Sequence, residues 1–188
     1  MTRPVSQRRT MLLLLALFGL PLVVSFVLYY ATDWRPPNSS NHGQLFSPTI
    51  ALDEAATPGD ALAALKGKWS LLVVGNGDCG ADCQRNLIFA RQTRLSLNQE
   101  MDRVNRVFLV TGQCCDREYL NREHPGLTLI EPGATVDVLL QRIPAPDREH
   151  SVFVVDPLGN LVMRYDSRED PKGFLTDIKK LLKLSHIG

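Results

Sequence analysis

The feature that most restricts this chain is an apolar run without any charged residue, from Met11 to Tyr30. A helix of about twenty residues, with a rise of about 1.5 Å per residue, matches the roughly 30 Å apolar core of a bilayer. Pro21 lies inside the run, and membrane helices tolerate proline. Trp34 follows the run and fits the aromatic belt at a membrane interface. We therefore predict a transmembrane anchor over residues 11–32.

The residues ahead of the run indicate its orientation. Residues 1–10 contain Arg3, Arg8 and Arg9 and no acidic residue, and basic residues favour the cytoplasmic side of a membrane. We therefore predict a cytoplasmic N-terminal segment over residues 1–10, with the rest of the chain across the membrane. The alternative is a cleaved signal peptide, whose apolar region is typically only about 7–15 residues long. In both cases the remaining chain leaves the cytoplasm, and disulfides persist in such compartments.

The remaining chain is long enough for one domain. Its charges nearly cancel, with 21 Lys and Arg against 20 Asp and Glu and a net charge of +1, so we expect no nucleic acid partner. Residues 33–48 are rich in Pro, Asn, Ser and Gly, which is typical of a linker. We predict a tether and lead-in segment over residues 33–66 and a folded domain over residues 67–188.

Apolar patterns in this domain predict its secondary structure. The run WSLLVVG at residues 69–75 is continuously apolar, which is typical of a strand buried on both faces. The sequence PLGN at residues 157–160 separates two short apolar runs and predicts a hairpin. Asp170 and Pro171 predict the N-cap and first residue of a last helix. The further candidates are a helix over 81–101, strands over 105–112 and 127–131, a short helix over 133–142, and hairpin strands over 151–156 and 161–165.

The order of these elements is strand, helix, strand, insertion, hairpin and helix, which is the order of the thioredoxin fold. Because strand–helix–strand connections are right-handed, residues 69–75 and 105–112 are expected to be parallel neighbours. We therefore predict an α/β, thioredoxin-like domain preceded by a transmembrane helix.

Four cysteines and one histidine are expected to meet at one edge of this sheet. Cys79 and Cys83 follow the first strand, and Cys114 and Cys115 follow its parallel neighbour. His150 precedes a strand that is expected to run the opposite way. Open α/β sheets usually place their sites at the carboxyl ends of the parallel strands. These five residues are therefore the candidates for a functional site.

The pair Cys79 and Cys83 suits several chemistries. Residues i and i+4 share one face of a helix, and a helix N-terminus lowers the pKa of a thiol. Soft thiolate ligands select Cu(I), zinc or iron–sulfur clusters. The residues alone leave open a redox-active pair, a metal-binding pair and a structural disulfide.

The other candidates also have alternatives. Adjacent cysteines form only a strained ring, so Cys114 and Cys115 exchange with the first pair, offer further thiolates, or are a structural bridge or unreactive thiols. His150 is either the third ligand of a Cys₂His site or a polar residue at a strand edge. We assign no functional role to the remaining histidines, which are His42, His124 and His186.

Several motifs of the chain resemble those of a known family. The anchor, the C-x-x-x-C motif and HSVFVVDPLGN at residues 150–160 are similar to those of the Sco/SenC proteins, membrane-anchored copper-binding factors that serve cytochrome c oxidase assembly. NHGQL at 41–45, ARQ at 90–92 and VVDPLGNLVMRY at 154–165 resemble a bacterial group of small, single-pass, thioredoxin-like proteins associated with cytochrome oxidase. The resemblance covers nearly the whole chain.

The resemblance implies a ligand set. In Sco proteins two cysteines and a distal histidine bind copper, and Cys79 and Cys83 match the cysteine motif. Gln84 stands where the family has proline, and Arg148 occupies the position of the family's histidine when residues are counted back from the turn. His150 lies two residues nearer the turn, on a strand face that Arg148 is expected to share. The resemblance thus implies Cu(I) ligation by Cys79 and Cys83, with His150 as the third ligand.

The resemblance also implies a function. We predict a single-pass protein of the inner (cytoplasmic) membrane whose domain lies in the periplasm and assists assembly of the copper site of cytochrome c oxidase. The domain either binds Cu(I) and passes it on, or reduces a cysteine pair on an oxidase subunit or on another copper carrier. In the second case the more exposed Cys79 attacks and Cys83 resolves the mixed disulfide. The alternatives are a thiol–disulfide oxidoreductase unrelated to copper and a non-catalytic docking subunit that kept the fold.

Overall fold

The computed structural model describes residues 7–31, 41–52, 60–185 and 187–188. The chain divides into two compact units, Met1–Ser40 and Asn41–Gly188. The first unit contains helix α1, Gln7–Ala31, whose mean hydropathy reaches 2.8 over its most apolar window. By length and composition α1 is able to span a membrane, as predicted. The described helix includes Arg8 and Arg9, which lie ahead of the predicted span.

The second unit is a six-stranded sheet with helices on both faces. The strands are β1 (Gln44–Ala51), β2 (Trp69–Asn76), β3 (Val104–Thr111), β4 (Leu127–Ile130), β5 (Ser151–Val155) and β6 (Asn160–Asp166). The helices are α2 (Asp60–Leu65), α3 (Ala81–Leu95), α4 (Arg117–Glu123), α5 (Ala134–Arg142) and α6 (Pro171–Leu184), and 3₁₀ turns cover Asn98–Arg103 and Arg148–His150. The strand order is β1-β6-β5-β2-β3-β4. As predicted, β2 and β3 are parallel neighbours and β5 runs antiparallel to β2.

Strand β2 shows why the sheet is covered on both faces. Its side chains alternate, so that Trp69, Leu71 and Val73 belong to one apolar cluster while Leu72 and Val74 belong to another. Helices α3, α4 and α6 contribute side chains to the first cluster, and α2 and α5 contribute to the second. A strand with helices on both sides buries the side chains of both faces, which explains the long apolar run in the sequence, where Ser70 is a buried polar exception.

Two predicted local signals are confirmed by hydrogen bonds. In the β5–β6 hairpin the Asp156 carboxylate accepts the backbone N–H of Leu158 at 2.9 Å, and Gly159 adopts a φ of 93°. At the start of α6 the Asp170 carboxylate accepts the backbone N–H of Lys172 at 3.0 Å and caps the helix. Both signals depend on residues close in sequence, so they could be predicted without knowledge of the fold.

The structure corrects the predicted tether. Strand β1 lies within residues 33–66 but pairs antiparallel with β6, so this part of the segment belongs to the folded unit. The buried Asp177 carboxylate accepts the backbone N–H groups of His42 at 2.7 Å and of Gly43 at 2.8 Å. These hydrogen bonds fix the chain just ahead of β1. Other parts of the predicted tether, residues 33–40 and 53–59, lie outside the described residues.

Helix α3 is shorter than predicted. It ends at Leu95 rather than near Met101, and the 3₁₀ turn Asn98–Arg103 leads into β3. The mixed region after β3 contains α4, which the sequence pattern did not predict. Both differences bear on the site, because α3 contains Cys83 in its first turn and α4 follows Cys114 and Cys115.

Candidate functional site

The loop after β2 places Cys79 and Cys83 at the edge of the sheet. The N–H of Cys79 donates to the carbonyl of Asn76 at 3.0 Å, and the side-chain amide of Gln84 donates to the carbonyl of Cys79 at 3.0 Å. Cys79 adopts the left-handed conformation, with a φ of 42°, and the chain then enters α3, whose first turn contains Cys83. The pair therefore lies at the carboxyl end of β2 and at the N-terminus of α3.

Both sulfurs of this pair are buried. Cys79 and Cys83 are joined by a disulfide with Cα atoms 5.0 Å apart, and their exposed fractions are 4% and 8%. A Cβ at Gly75 would lie 3.2 Å from the Sγ of Cys83, so glycine leaves room for the sulfur against β2. The prediction that Cys79 is the more exposed residue is wrong, because Cys79 packs in the same apolar cluster as Cys83.

The loop after β3 interlocks with the loop after β2. The two strands pair in register up to Asn76 and Thr111, so both loops leave the sheet at the same level. A Cβ at Gly77 would overlap the backbone carbonyl oxygen of Gln113, and a Cβ at Gly112 would lie 3.0 Å from Oδ1 of Asn76. Glycine at these two positions therefore permits the close contact of the loops.

The second loop carries Cys114 and Cys115, which are joined to each other. Cys114 is exposed, whereas Cys115 is half-buried and packs against the apolar cluster that contains Cys79 and Cys83. An open groove of about 690 Å³ lies at these loops and is lined by Asn76, Gly77, Asp78, Gly112, Gln113, Cys114 and Asp116. The four cysteines thus gather at one edge of the sheet as two neighbouring pairs.

His150 ends the 3₁₀ turn ahead of β5 and faces the first turn of α3. Its Nδ1 lies 3.6 Å from Oδ1 of Asp82, and the side-chain amide of Asn86 donates to the carbonyl of Glu149 at 2.8 Å. These contacts hold His150 beside the helical turn that carries Cys83. Among the described residues, the buried Nδ1 of His150 has no hydrogen-bond partner.

Arg148 faces the opposite side of the sheet edge from His150. Its guanidinium donates to the carbonyl oxygens of Leu140 at 2.9 Å and of Pro144 at 3.3 Å, at the C-terminal end of α5. The expected shared face of Arg148 and His150 is therefore wrong. The two residues belong to a 3₁₀ turn rather than to a strand, and about three residues per turn point them in different directions.

The described part of the chain contains no group of three or more His, Cys, Asp or Glu side chains arranged to hold a metal ion. The sulfurs of Cys79 and Cys83 are engaged in a disulfide, whereas thiolates are the form that binds metals. Reduction would create two soft ligands next to the turn that His150 faces. The donor set therefore fits Cu(I) only in the reduced protein, and ligation by His150 stays a prediction.

The edge of the sheet near His150 carries charged groups. The Nε of Arg168 donates to Oδ1 of Asp166 at 2.8 Å. This hydrogen bond lowers the pKa of Asp166 below its usual range, against the opposing effect of burial, and the nearby His150 adds to the lowering. Arg85 donates to Asp82 at 2.6 Å on the same side. The surface around His150 is therefore polar and charged.

An apolar groove of about 630 Å³ runs between α3 and α6. Ala81 and Gln84 line it next to the cysteine loop, and Ile88 and Leu175 line it further along the two helices. Sequence reasoning missed this groove. The available signal was Ile88, an apolar residue that is 50% exposed and lies outside the buried face of α3.

Two of the remaining histidines, His42 and His124, belong to the described part of the folded unit. His42 Nδ1 lies 3.2 Å from Oδ1 of the buried Asp177. His124 is the C-cap residue that follows α4 and is buried, and burial lowers its pKa, with a further contribution from the positive charge of Arg106. His186 lies outside the described residues.

A family model described as a transmembrane-like, thioredoxin-like, C-terminal domain matches residues 69–185, which is more than half of the chain. The chain belongs to this family. The residues shared with the transmembrane-like, thioredoxin-like family begin at β2 and end just after α6, so they include both cysteine pairs and His150. A search of curated protein sequences gave no match.

Solved structures of Sco proteins share the fold of this family member. Yeast Sco1 has 20% sequence identity and a TM-score of 0.58 over 66% of this chain and 85% of its own. Apo Sco1 from Thermus thermophilus has 18% identity and a TM-score of 0.56, over 78% and 99% of the two chains. Bradyrhizobium japonicum ScoI with copper bound has 18% identity and a TM-score of 0.52, over 63% and 88%. The predicted Sco-like thioredoxin fold is therefore confirmed.

Proposed function

We propose that the domain is a thiol–disulfide protein whose Cys79–Cys83 pair alternates between a disulfide and a dithiol. The proposal is carried by the position of this disulfide, at the end of a parallel strand and the first turn of a helix in a thioredoxin fold. The unpaired N–H groups and the dipole at a helix N-terminus favour negative charge, so they stabilise a thiolate. Reduction of the pair therefore creates a nucleophile at this edge.

The exchange begins at Cys79, which precedes the N-cap residue Gly80 of α3. The thiolate of Cys79 attacks one sulfur of a partner's disulfide, the partner's S–S bond breaks, and its second sulfur leaves as a thiolate. Cys83 then attacks the sulfur of Cys79, which closes the Cys79–Cys83 bond and releases the reduced partner. Two electrons pass to the partner, and two protons reach its sulfurs through solvent.

The proposed partner is a cysteine pair on a cytochrome c oxidase subunit or on another copper carrier, at the periplasmic side of the inner membrane. Two findings support this choice: the fold shared with copper-bound ScoI, and an N-terminal helix able to span a membrane. A cysteine pair must be reduced before it binds copper, because the thiolate is the metal ligand. Reduction of such a pair is therefore a necessary step of copper-site assembly.

Cu(I) is a second candidate, as cargo of the reduced pair. The observation that favours it is His150, whose Nδ1 lies 3.6 Å from Asp82 in the helical turn of Cys83 and accepts or donates no hydrogen bond among the described residues. Two thiolates and an imidazole are suitable ligands for Cu(I). The proposed transfer is an exchange of these ligands for those of the partner.

The reduction potential of the pair tests the proposed function. The full chain in detergent is equilibrated with glutathione buffers of graded potential, and the Cys79 and Cys83 thiols are quantified by alkylation and peptide mass spectrometry. We expect the pair to titrate above about −300 mV, because structural disulfides lie below that value. A pair that stays oxidised throughout would instead identify a non-catalytic docking domain.

A Cu(I) titration tests the second candidate. The reduced full chain is titrated against a competing chelator, beside Cys79→Ser/Cys83→Ser and His150→Ala variants. We expect one-to-one binding that is lost in the double cysteine variant and weakened by about tenfold or more in His150→Ala. Binding that is unchanged in Cys79→Ser/Cys83→Ser would remove the carrier model. A redox-active pair that binds no Cu(I) would leave thiol exchange as the activity.

A further inference from the structure

We propose that Cys114 and Cys115 form a second redox couple, which passes electrons from an external dithiol to the buried Cys79–Cys83 pair. This inference rests on the proposed function, because it supplies the route by which the Cys79–Cys83 disulfide is reduced back to the dithiol. In the disulfide form that the structure describes, Cys79 and Cys83 have exposed fractions of 4% and 8%, so a thiol on another molecule has poor access to this bond. A second cysteine pair at the surface removes this obstacle.

The fold brings the two pairs together. Both loops leave the sheet at the level of Asn76 and Thr111, and the backbones of Gly77 and Gln113 are in close contact. Cys115 packs against the apolar cluster that contains both sulfurs of the buried pair. Disulfide exchange between the pairs therefore requires a local movement of two loops that are already in contact at Gly77 and Gln113.

The second pair also has access to solvent. Cys114 is exposed and lines the open groove of about 690 Å³, together with Asp78, Gln113 and Asp116. Neither Cys79 nor Cys83 lines this groove. Cys114 therefore faces the incoming reductant, while its neighbour Cys115 faces the buried cluster.

The relay consists of two balanced exchanges. A thiolate of the external dithiol attacks Cys114, the Cys114–Cys115 bond breaks, and the second thiol of the donor closes the donor's disulfide and frees Cys114. Cys115 then attacks a sulfur of the buried pair, the Cys79–Cys83 bond breaks, and Cys114 attacks Cys115 to restore the surface disulfide. Two electrons and two protons pass from the donor dithiol to Cys79 and Cys83.

Variants with one cysteine from each pair test whether the sulfurs can meet. Cys83→Ser/Cys114→Ser retains Cys79 and Cys115, and Cys79→Ser/Cys114→Ser retains Cys83 and Cys115. The matched control, Cys83→Ser/Cys115→Ser, retains Cys79 and the exposed Cys114. The reduced full chains in detergent are oxidised with glutathione disulfide, and the cross-linked peptides are quantified by mass spectrometry.

We expect at least one of the two Cys115 variants to close its disulfide roughly tenfold faster than the control, since exchange rates depend on access to the attacked sulfur. The same samples in urea should close at similar rates, which shows that the fold creates the difference. Near-ultraviolet circular dichroism identifies which variants are folded, and either folded Cys115 variant is sufficient. Failure of the folded Cys115 variants to close faster than the control would overturn the relay.

A rate measurement separates the relay from the proposed function. The oxidised full chain and a Cys114→Ser/Cys115→Ser variant are mixed with dithiothreitol, and reduction of Cys79–Cys83 is followed by rapid alkylation. We expect the variant to react roughly tenfold more slowly while its equilibrium potential is unchanged, because only access is removed. Equal rates would overturn the relay and leave the proposed function intact. A buried pair that resists reduction in both proteins would overturn both.

Discussion

The loops after β2 and β3 leave neighbouring parallel strands at the same level, yet they present their cysteines differently. The first loop turns at Cys79 into α3 and buries both of its sulfurs. The second loop contacts the first at Gly77 and Gln113, and it leaves Cys114 exposed and Cys115 half-buried. Two cysteine pairs at equivalent strand ends thus differ in their access to solvent.

This difference shows that strand topology positions a site but does not determine its accessibility. The carboxyl ends of β2 and β3 bring both pairs to one edge of the sheet, as expected for open α/β sheets. The helix that follows each loop then decides how deeply its cysteines pack. Helix α3 carries Cys83 in its first turn, whereas α4 starts only after Cys115.

Replacement of the buried pair is expected to have the largest effect. A Cys79→Ser/Cys83→Ser variant should lose all ability to reduce a peptide disulfide in a single turnover, because no dithiol remains at the helix N-terminus. The Cys114→Ser/Cys115→Ser variant should still complete the reaction once its buried pair has been reduced. Equal single-turnover yields from the two variants would end the functional distinction between the loops.

The contact between the loops is tested at Gly77. A Gly77→Ala variant should lose about 1–3 kcal/mol of the free energy of unfolding, because the new Cβ overlaps the carbonyl oxygen of Gln113. Gly80→Ala is the matched control, since a Cβ at Gly80 meets nothing within 4 Å. Urea denaturation measures both variants. A Gly77→Ala variant as stable as Gly80→Ala would contradict the interlocking of the loops.

Acid is expected to affect the region behind the second loop. His124 is the C-cap residue of α4, and burial together with the charge of Arg106 lowers its pKa in the folded state. A lowered pKa means that protonation favours the unfolded chain. The stabilisation is therefore complete above the unfolded pKa of about 6.5, and it is lost as pH falls from there through the folded pKa.

The free energy of unfolding, measured against urea between neutral pH and mildly acidic pH, checks this expectation. The slope should approach about 1.4 kcal/mol per pH unit for one additional proton in the unfolded state. In His124→Gln the contribution of this residue should disappear whatever the absolute stability of the variant. The same slope in both proteins would show that His124 is readily protonated in the folded state.

The smallest expected effect concerns the charged surface beside the first loop. The hydrogen bond from Arg168 lowers the pKa of Asp166, so the stabilisation from this pair is present above the unfolded pKa of the carboxyl and is lost as pH falls through the folded pKa. In Arg168→Gln we expect the pKa of Asp166 to rise towards its usual value, with little change in thiol exchange. Carboxyl-carbon NMR titration measures the pKa. An unchanged value would mean that the contact is not maintained in solution.

Much of the fold could be predicted because its signals are local. The continuous apolar run of β2, the turn at Gly159 and the cap at Asp170 each depend on neighbouring residues, and each appears in the structure as predicted. Strand β1 could not be predicted in this way. Its side chains are mostly exposed, and the chain ahead of it is held by hydrogen bonds to Asp177, which is distant in sequence.

Some features of the candidate site could likewise be predicted from local sequence, whereas others depend on contacts between distant segments. The spacing of Cys79 and Cys83 and the order of the strands were sufficient to place all four cysteines and His150 near one edge. The relative exposure of the cysteines was not predictable, because it depends on how two loops from separate strands pack together. The direction of Arg148 was also missed, because a 3₁₀ turn replaces the strand backbone that the pattern suggested.

By itself, the sequence determined a helix of membrane-spanning length, a thioredoxin-like order of strands and helices, and a C-x-x-x-C pair at the end of a buried strand. These features follow from the period and composition of contiguous residues. Only the tertiary structure decided that Cys79 and Cys83 are buried, that Cys114 is exposed, and that the two loops interlock at Gly77 and Gln113. The physical reason is that burial is a property of contacts between segments far apart in the chain, and those contacts exist only once the sheet has formed.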